Sequence, residues 1–235
     1  MALRISSVLI VVMVVVASRV SHAADTIRFA TAIIPPYQYQ NSDGDLKGVA
    51  LPIVECAMTS LGQDYSVSVL PWLRAQGNVQ LGESDAFFVA SNNADRNSYA
   101  TMSEPLFSGK RSWYLRPGYH IDTDSDEFKK TAIVGTVFGT NMHAWLKGNF
   151  SQVIAKDSLP ELISLLTAKR LDALLTTDLM YHDTMKKLNF PENKFSRSLS
   201  RTKPLGVYFG HHFIEKNAGF LASFNQALVD CRTLQ

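Results

Sequence analysis

The sequence predicts an α/β fold in which two lobes are joined by two crossing segments. Strand-like apolar runs alternate with segments of helical periodicity, an order typical of parallel sheets flanked by helices. Two extended segments, near residues 110–116 and 205–209, lie on either side of the second half of this series. We therefore expect one lobe from residues 24–112 and 206–235, and a second lobe from residues 113–205.

The individual elements follow from the spacing of apolar residues, which alternate in strands and recur every three or four positions in helices. The first series predicts the strand 26–32, the helix 49–61, the strand 65–70, the helix 72–81 and the strand 85–90. A polar connection at 117–126 precedes the second series, which predicts strands 132–137, 153–155 and 173–176 and helices 140–147, 158–169 and 178–188. A last helix, 218–231, is expected to pack on the first lobe.

The first 23 residues have the pattern of a secretory signal. Arg4 supplies a positive charge, residues 8–17 form an apolar run of ten, and Ser21 and Ala23 are small residues before the expected cleavage site. A retained membrane anchor is the alternative, but spanning a bilayer takes about 20 apolar residues. We therefore expect residues 1–23 to be removed and the rest of the chain to be exported.

Cleavage after Ala23 would leave a chain without net charge. It removes two of the 23 basic residues and no acidic residue, so 21 basic residues would face 21 acidic ones. Proteins that bind nucleic acids usually carry a basic surface. We therefore expect no nucleic-acid partner.

The chain has two cysteines, Cys56 and Cys231. Each lies beside the apolar stripe of a predicted helix, Cys56 in the first helix and Cys231 in the last. Export to an oxidising compartment favours a disulfide between them. Two buried free thiols are the alternative. A bond would place the early and late parts of the chain in one lobe, as the predicted topology requires.

A series of short motifs follows the signal over nearly the whole chain. The motifs are Pro35-Pro36-Tyr37, Asp45-Leu46-Lys47-Gly48, Pro71-Trp72, Asn93-Ala94-Asp95-Arg96, Ser103-Glu104-Pro105-Leu106-Phe107, Gly139-Thr140 and Leu171-Asp172-Ala173-Leu174-Leu175. In order and spacing they resemble the family 3 extracellular solute-binding proteins, the periplasmic amino-acid receptors of ABC importers. The resemblance implies a type II-like periplasmic binding fold with a ligand cleft between the lobes. It also implies a periplasmic protein that delivers a small carboxylate-bearing solute, such as a polar amino acid, to a membrane permease. We expect this protein to be soluble, because no later apolar run is long enough to cross a membrane, and to be a monomer.

Arg96 is the leading candidate for binding the ligand. It follows an apolar strand on a polar loop, and its planar guanidinium can form two parallel hydrogen bonds to a carboxylate. The resemblance implies this role, and it implies that Ser91 places a hydroxyl on the ligand. The alternatives are an ion pair of Arg96 with Asp95 or Glu104, and an ordinary loop serine at Ser91.

The second lobe offers four further candidates. Thr140 and Asn141 open a helix whose free N–H groups attract a carboxylate, although Thr140 can also serve simply as the N-cap. The resemblance implies an amine-binding acid five residues after Asp172, where this chain has Thr177. Asp178 follows directly, and it is either an amine ligand or a helix N-cap.

Aromatic and basic residues beside the expected cleft complete the set of candidates. Tyr37 is a candidate to cover the ligand, and Trp72 is a candidate to stack on it. Arg74 could bind a second carboxylate, which would favour an acidic or polar ligand. Trp113, on a crossing segment, could also line the cleft. The alternative for each aromatic residue is packing in the core or between the lobes.

We expect no cofactor and no metal site, because the histidines are not arranged at ligand spacing. Two other functions are alternatives. The same cleft could serve a membrane signalling protein as its ligand sensor, or it could belong to a dehydratase-like enzyme of the same fold. An enzyme would need a general acid or base, for which Glu104 and Asp178 are the nearby candidates. Our prediction is a binding protein without enzyme activity.

Overall fold

The computed structural model describes residues 26–232, so the predicted signal peptide, residues 1–23, lies outside the described residues. The strands are β1 (Ile27–Thr31), β2 (Tyr39–Gln40), β3 (Leu46–Lys47), β4 (Tyr65–Val69), β5 (Ala86–Ala90), β6 (Ala100–Leu115), β7 (Ile133–Val137), β8 (Gln152–Lys156), β9 (Ala173–Thr177) and β10 (Ser196–Gly210). The helices are α1 (Leu51–Ser60), α2 (Trp72–Leu81), α3 (Ala94–Asn97), α4 (Asp126–Thr131), α5 (Asn141–Asn149), α6 (Leu159–Thr167), α7 (Asp178–Lys187), α8 (His211–Lys216) and α9 (Phe220–Arg232). None of these helices has the length and apolar content needed to cross a bilayer.

Eight of the strands form one continuous mixed sheet in the order β4-β1-β5-β10-β6-β9-β7-β8. The outer pairs, such as β1 with β4 and β7 with β8, are parallel. The central strands β6 and β10 are antiparallel to each other and to their outer neighbours β9 and β5. At one end of this central pair β10 pairs with β5, and at the other end β6 pairs with β9. The two central strands are therefore the two crossings between two α/β lobes.

The buried side chains divide in the same way. One group gathers apolar residues of β1, β5, α1 and α9 with the last part of β10, around Phe29, Phe88 and Phe209. Two further groups lie on opposite faces of the sheet's other half, one around Trp113 and the other around Tyr114. Adjacent residues of β6 enter different groups because side chains alternate along a strand. The boundaries 112/113 and 205/206 between the lobes stay a prediction.

The predicted disulfide is confirmed. Cys56 of α1 and Cys231 of α9 are bonded, with their Cα atoms 5.9 Å apart and a sequence separation of 175. The bond therefore fixes the last helix to the first.

The crossing strands are much longer than the extended segments predicted from sequence. The predictions covered 110–116 and 205–209, whereas β6 is Ala100–Leu115 and β10 is Ser196–Gly210. Much of both strands is polar and partly exposed, so apolar alternation does not reveal them. Their backbone groups are satisfied because the two strands pair with each other from Ala100↔Gly210 to Leu115↔Ser196.

Candidate functional site

A cavity of about 70 Å³ lies between the two lobes, next to the crossing strands. Its walls include seven polar or basic residues, namely Tyr37, Ser91, Arg96, Arg111, Thr140, Asn141 and Thr177. Apolar walls come from Ile34, Trp72, Val89, Met142, Met180 and Leu205. Seven of our ten candidates, Trp72 included, thus line one cavity, although they come from distant parts of the sequence.

Arg96 is held rigidly in the wall of this cavity. Asn93 caps the one-turn helix α3 by accepting a hydrogen bond from the Arg96 amide at 3.2 Å. The guanidinium donates from Nε to Gln76 Oε1 at 2.8 Å and from Nη1 to the Ser91 carbonyl at 2.9 Å. Arg96 is only 4% exposed. The alternative ion pairs with Asp95 and Glu104 do not form.

Aromatic rings partly compensate the buried charge of Arg96. Its guanidinium carbon lies 5.4 Å from the centre of the Trp72 ring and 5.9 Å from that of Phe87. Such cation–π contacts are attractive, but they do not neutralise the cation. Burial lowers the pKa of Arg96. The wall of the cavity therefore contains a fixed positive charge without a carboxylate partner among residues 26–232.

Arg111 is a second cation in the cavity, and the sequence analysis missed it. It projects from β6, where it is paired in register with Thr177 of β9, and its Nη2 donates to Ser91 Oγ at 2.8 Å. Burial, together with the positive charges of Arg201 and Arg96, lowers the pKa of Arg111 to about 10. Its position on a segment predicted to cross between the lobes was the available signal, because a crossing strand must pass the cleft.

Direct hydrogen bonds hold the two lobes together around the cavity. Asn141 Nδ2 donates to Ser91 Oγ at 2.7 Å, and its Oδ1 accepts from Asn93 Nδ2 at 2.7 Å. Across the cavity, the Tyr37 hydroxyl donates to Thr177 Oγ1 at 3.0 Å. Thr140 caps α5 by accepting a hydrogen bond from the His143 amide at 3.2 Å. The lobes are thus in a closed arrangement.

The backbone around the cavity contains two unusual positions. Val89 has a φ of 61°, a left-handed conformation that is strained for a β-branched residue. It is the last residue but one of β5, two residues before Ser91. Gly48 has a φ of 133°, and a Cβ there would lie only 2.2 Å from the Tyr37 carbonyl oxygen. Gly48 therefore allows the chain to pass close behind Tyr37, whose ring stacks on Phe107 at 5.2 Å.

Asp178 is not in the wall of the cavity. Its Oδ1 accepts hydrogen bonds from the Tyr114 hydroxyl at 2.9 Å and from Arg197 Nε, and its Oδ2 accepts from Arg197 Nη2 at 2.5 Å. Burial opposes its ionisation, but the hydrogen bonds from Arg197 and Tyr114 lower its pKa overall. The N-cap of α7 is Thr177, which accepts from the Met180 amide, so the N-cap interpretation of Asp178 is wrong.

Two other candidates also lie away from the cavity. Arg74 is exposed on α2 and does not contribute to the cavity wall. Trp113 is 2% exposed and packs in a core with Phe128 and Phe150, at ring distances of 5.0 and 5.5 Å. The packing alternative for Trp113 is therefore the one that the structure shows. Within residues 26–232, His, Cys, Asp and Glu side chains form no cluster able to hold a metal ion.

No model of a known protein family matches this chain. A search of curated proteins finds the L-cystine-binding protein TcyJ of Escherichia coli K12, which is 24% identical over 159 residues. The alignment covers 66% of this chain and 59% of TcyJ, so it spans about three fifths of the curated relative.

Solved structures match over most of the chain. A histidine kinase sensor domain with similarity to periplasmic binding proteins has a TM-score of 0.77 at 14% identity, covering 90% of this chain and 92% of its own. The arginine-, lysine-, histidine-binding protein ArtJ of Geobacillus stearothermophilus has a TM-score of 0.72 at 17% identity, covering 89% and 90%. The ancestral amino-acid-binding protein AncCDT-1, a precursor of cyclohexadienyl dehydratase, has a TM-score of 0.70 at 17% identity, covering 88% and 90%.

These matches show that the chain has the two-lobed α/β fold of the periplasmic binding proteins, as the sequence predicted. The sequence similarity to TcyJ is in keeping with the resemblance to family 3 of the extracellular solute-binding proteins that the motifs indicate.

Proposed function

We propose that this protein binds a small carboxylate-bearing solute, a polar amino acid or a related compound, between its lobes in the periplasm. It acts as a monomer and delivers the solute to the membrane permease of an ABC importer. The observation that carries the proposal is the buried Arg96, whose guanidinium lies in the wall of the cavity between the lobes without an acidic partner among the described residues. A buried charge is costly unless it is paired, and a ligand carboxylate would supply the pair.

The surroundings of Arg96 fit this role. Its guanidinium is positioned by Gln76 and by the Ser91 carbonyl, so little side-chain freedom is lost when a ligand binds. The hydrogen bonds of Asn141 to Ser91 and of Tyr37 to Thr177 exist only when the lobes meet. A ligand that bridges the lobes would favour this closed state, because it adds contacts that the open state lacks. Amino-acid binding by TcyJ and ArtJ is consistent with the same use of the fold.

Calorimetric titration of an amino-acid and carboxylate panel, with Arg96→Met and Arg74→Met beside the wild type, tests the proposal. Arg74 is a matched control because it is exposed and lies outside the cavity. We expect the best ligand to lose at least about 100-fold in affinity with Arg96→Met, which is the size expected for a buried charge-assisted pair. Arg74→Met should leave the affinity within about two-fold. An Arg96→Met protein that is folded and binds as the wild type does would contradict the proposal.

A sensor role is the second candidate, and one observation favours it: the histidine kinase sensor domain superposes with a TM-score of 0.77. The two roles differ in solute uptake by cells. In the importer role, deletion of the gene abolishes uptake of the radiolabelled ligand, whereas in the sensor role uptake continues and only the response to the ligand is lost. A catalytic role has less support, because Glu104 and Asp178 do not line the cavity and its described wall contains no acid or histidine.

A further inference from the structure

The cavity contains two cations and no anion among its described wall residues. Arg96 and Arg111 reach it from different elements, and both donate to Ser91, Arg96 to the carbonyl and Arg111 to the hydroxyl. Neither arginine forms an ion pair with an acid of residues 26–232. Arg96 is buried and Arg111 is half-buried, and two like charges at such a site disfavour each other. One carboxylate would neutralise only one of the two.

Both guanidinium groups retain donors for a ligand. A guanidinium has five N–H donors. Arg96 uses two of them, towards Gln76 and Ser91, and Arg111 uses one, towards Ser91. The remaining N–H groups form no hydrogen bond with another described residue. Each arginine can therefore receive its own carboxylate.

An ammonium group would find no anionic partner among the described wall residues of this cavity. Thr177 stands at the position where the resemblance implies an acid, and its hydroxyl already accepts from Tyr37 and from the Met180 amide. The next residue, Asp178, does not line the cavity, and its carboxylate forms an ion pair with Arg197. An α-ammonium would lie near two guanidinium groups without a carboxylate to offset the repulsion.

We propose that the ligand is a short dicarboxylate without an ammonium group, and that Arg96 and Arg111 each bind one of its carboxylates. This inference rests on the proposed function and names the class of its ligand. The cavity size agrees with it. A single water needs about 10–15 Å³ of such volume, so the 70 Å³ of the cavity suit a carbon chain of a few atoms. The charge of Arg201, which lines an adjoining pocket together with Arg111, adds to the same positive field.

Calorimetry with matched acids tests this inference on the exported chain, refolded from denaturant to remove any ligand that co-purifies. Succinate has two carboxylates, butyrate has one, and aspartate is succinate with an added ammonium group. We expect succinate to bind at least ten-fold more tightly than either of the others. Malonate and glutarate test which length of carbon chain binds best. Inorganic sulfate, a dianion without carboxylates, tests whether the site requires carboxylate groups. Sulfate binding that equals the best dicarboxylate would overturn the dicarboxylate assignment.

Variants separate the two arginines. Arg111→Met should weaken succinate at least ten-fold while changing butyrate by less than three-fold, because butyrate needs only Arg96. Arg111→Lys keeps the charge and should retain part of the succinate affinity, which separates loss of charge from loss of fold. Thr177→Asp should reverse the preference from succinate to aspartate, and Thr177→Asn should not.

The outcomes distinguish this inference from the function on which it rests. If aspartate or a neutral amino acid binds more tightly than succinate and the binding needs Arg96, the dicarboxylate inference fails and the proposed function stands. If no carboxylate binds to the folded protein, both fail.

Discussion

Removing the Cys56–Cys231 disulfide should strongly destabilise the protein. The bond closes a loop of 175 residues. In the chain-entropy model, a loop of this length lowers the entropy of the unfolded chain by about 17 cal/mol/K, which is about 5 kcal/mol at 25 °C. For a protein of this size, about 2–4 °C per kcal/mol gives a fall in melting temperature of roughly 10–20 °C.

The double variant Cys56→Ser/Cys231→Ser is the appropriate perturbation, since a single substitution would leave a reactive thiol. Urea unfolding followed by circular dichroism gives its free energy of unfolding beside that of the oxidised wild type. Reduced wild type is the control, and it should unfold close to the double variant. Ligand affinity should change less than about three-fold, because neither cysteine lines the cavity. A loss of stability below about 1 kcal/mol would refute the loop-closure reasoning.

Three other substitutions have expected outcomes. Gly48→Ala should lower the free energy of unfolding in urea by at least about 2 kcal/mol, because its Cβ would lie 2.2 Å from the Tyr37 carbonyl oxygen. Gly44→Ala is the control, since a Cβ there meets open space, and it should lower the free energy of unfolding less. Equal losses would contradict this reasoning. Asn141→Ala removes hydrogen bonds to Ser91 and Asn93 of the first lobe. It should weaken ligand binding by about ten-fold and populate a more extended form in small-angle scattering. Unchanged affinity and scattering would show that these bonds do not stabilise the closed form. Asp178 has a lowered pKa in the folded state, so its stabilisation is complete above the unfolded value of about 4 and is lost as the pH falls through the lower folded value. Asp178→Asn should therefore flatten the acid limb of the stability curve without changing ligand affinity; a large loss of affinity would restore Asp178 as a ligand residue.

Local signals predicted the regular elements well where the sequence marks their ends. The predicted helix 72–81 has the observed bounds. In the structure Pro71 precedes it, and Gly82 ends it with a φ of 80°. The disulfide followed from two apolar helix faces and the expected export, both of which are readable without a structure. The short helix α4 (Asp126–Thr131) has no counterpart in the prediction, because its six residues are too few to show clear apolar periodicity.

The candidate site was harder to predict because it depends on side-chain direction. Arg111 belongs to no motif in the sequence. Its role becomes visible only in the structure, where its position on β6 brings it within hydrogen-bond distance of Ser91. Asp178 and Thr177 are neighbours in sequence, but a step of one residue at the end of a strand moves a side chain to the opposite face. Spacing alone could not decide which of the two would enter the cavity. Arg74 was likewise placed on the correct helix, yet it faces outwards.

The ribbon formed by β6 and β10 has a mechanical consequence. Its two strands are hydrogen-bonded to each other along their length, with register irregularities near Arg201 and Gly206. Because the two strands that connect the lobes are hydrogen-bonded to each other, they do not move independently. A change in the relative position of the lobes must therefore bend or twist both strands together. Arg111 projects from one of these strands, β6. A solute bound to Arg111 would therefore contact the connecting strands directly and not only the two lobes.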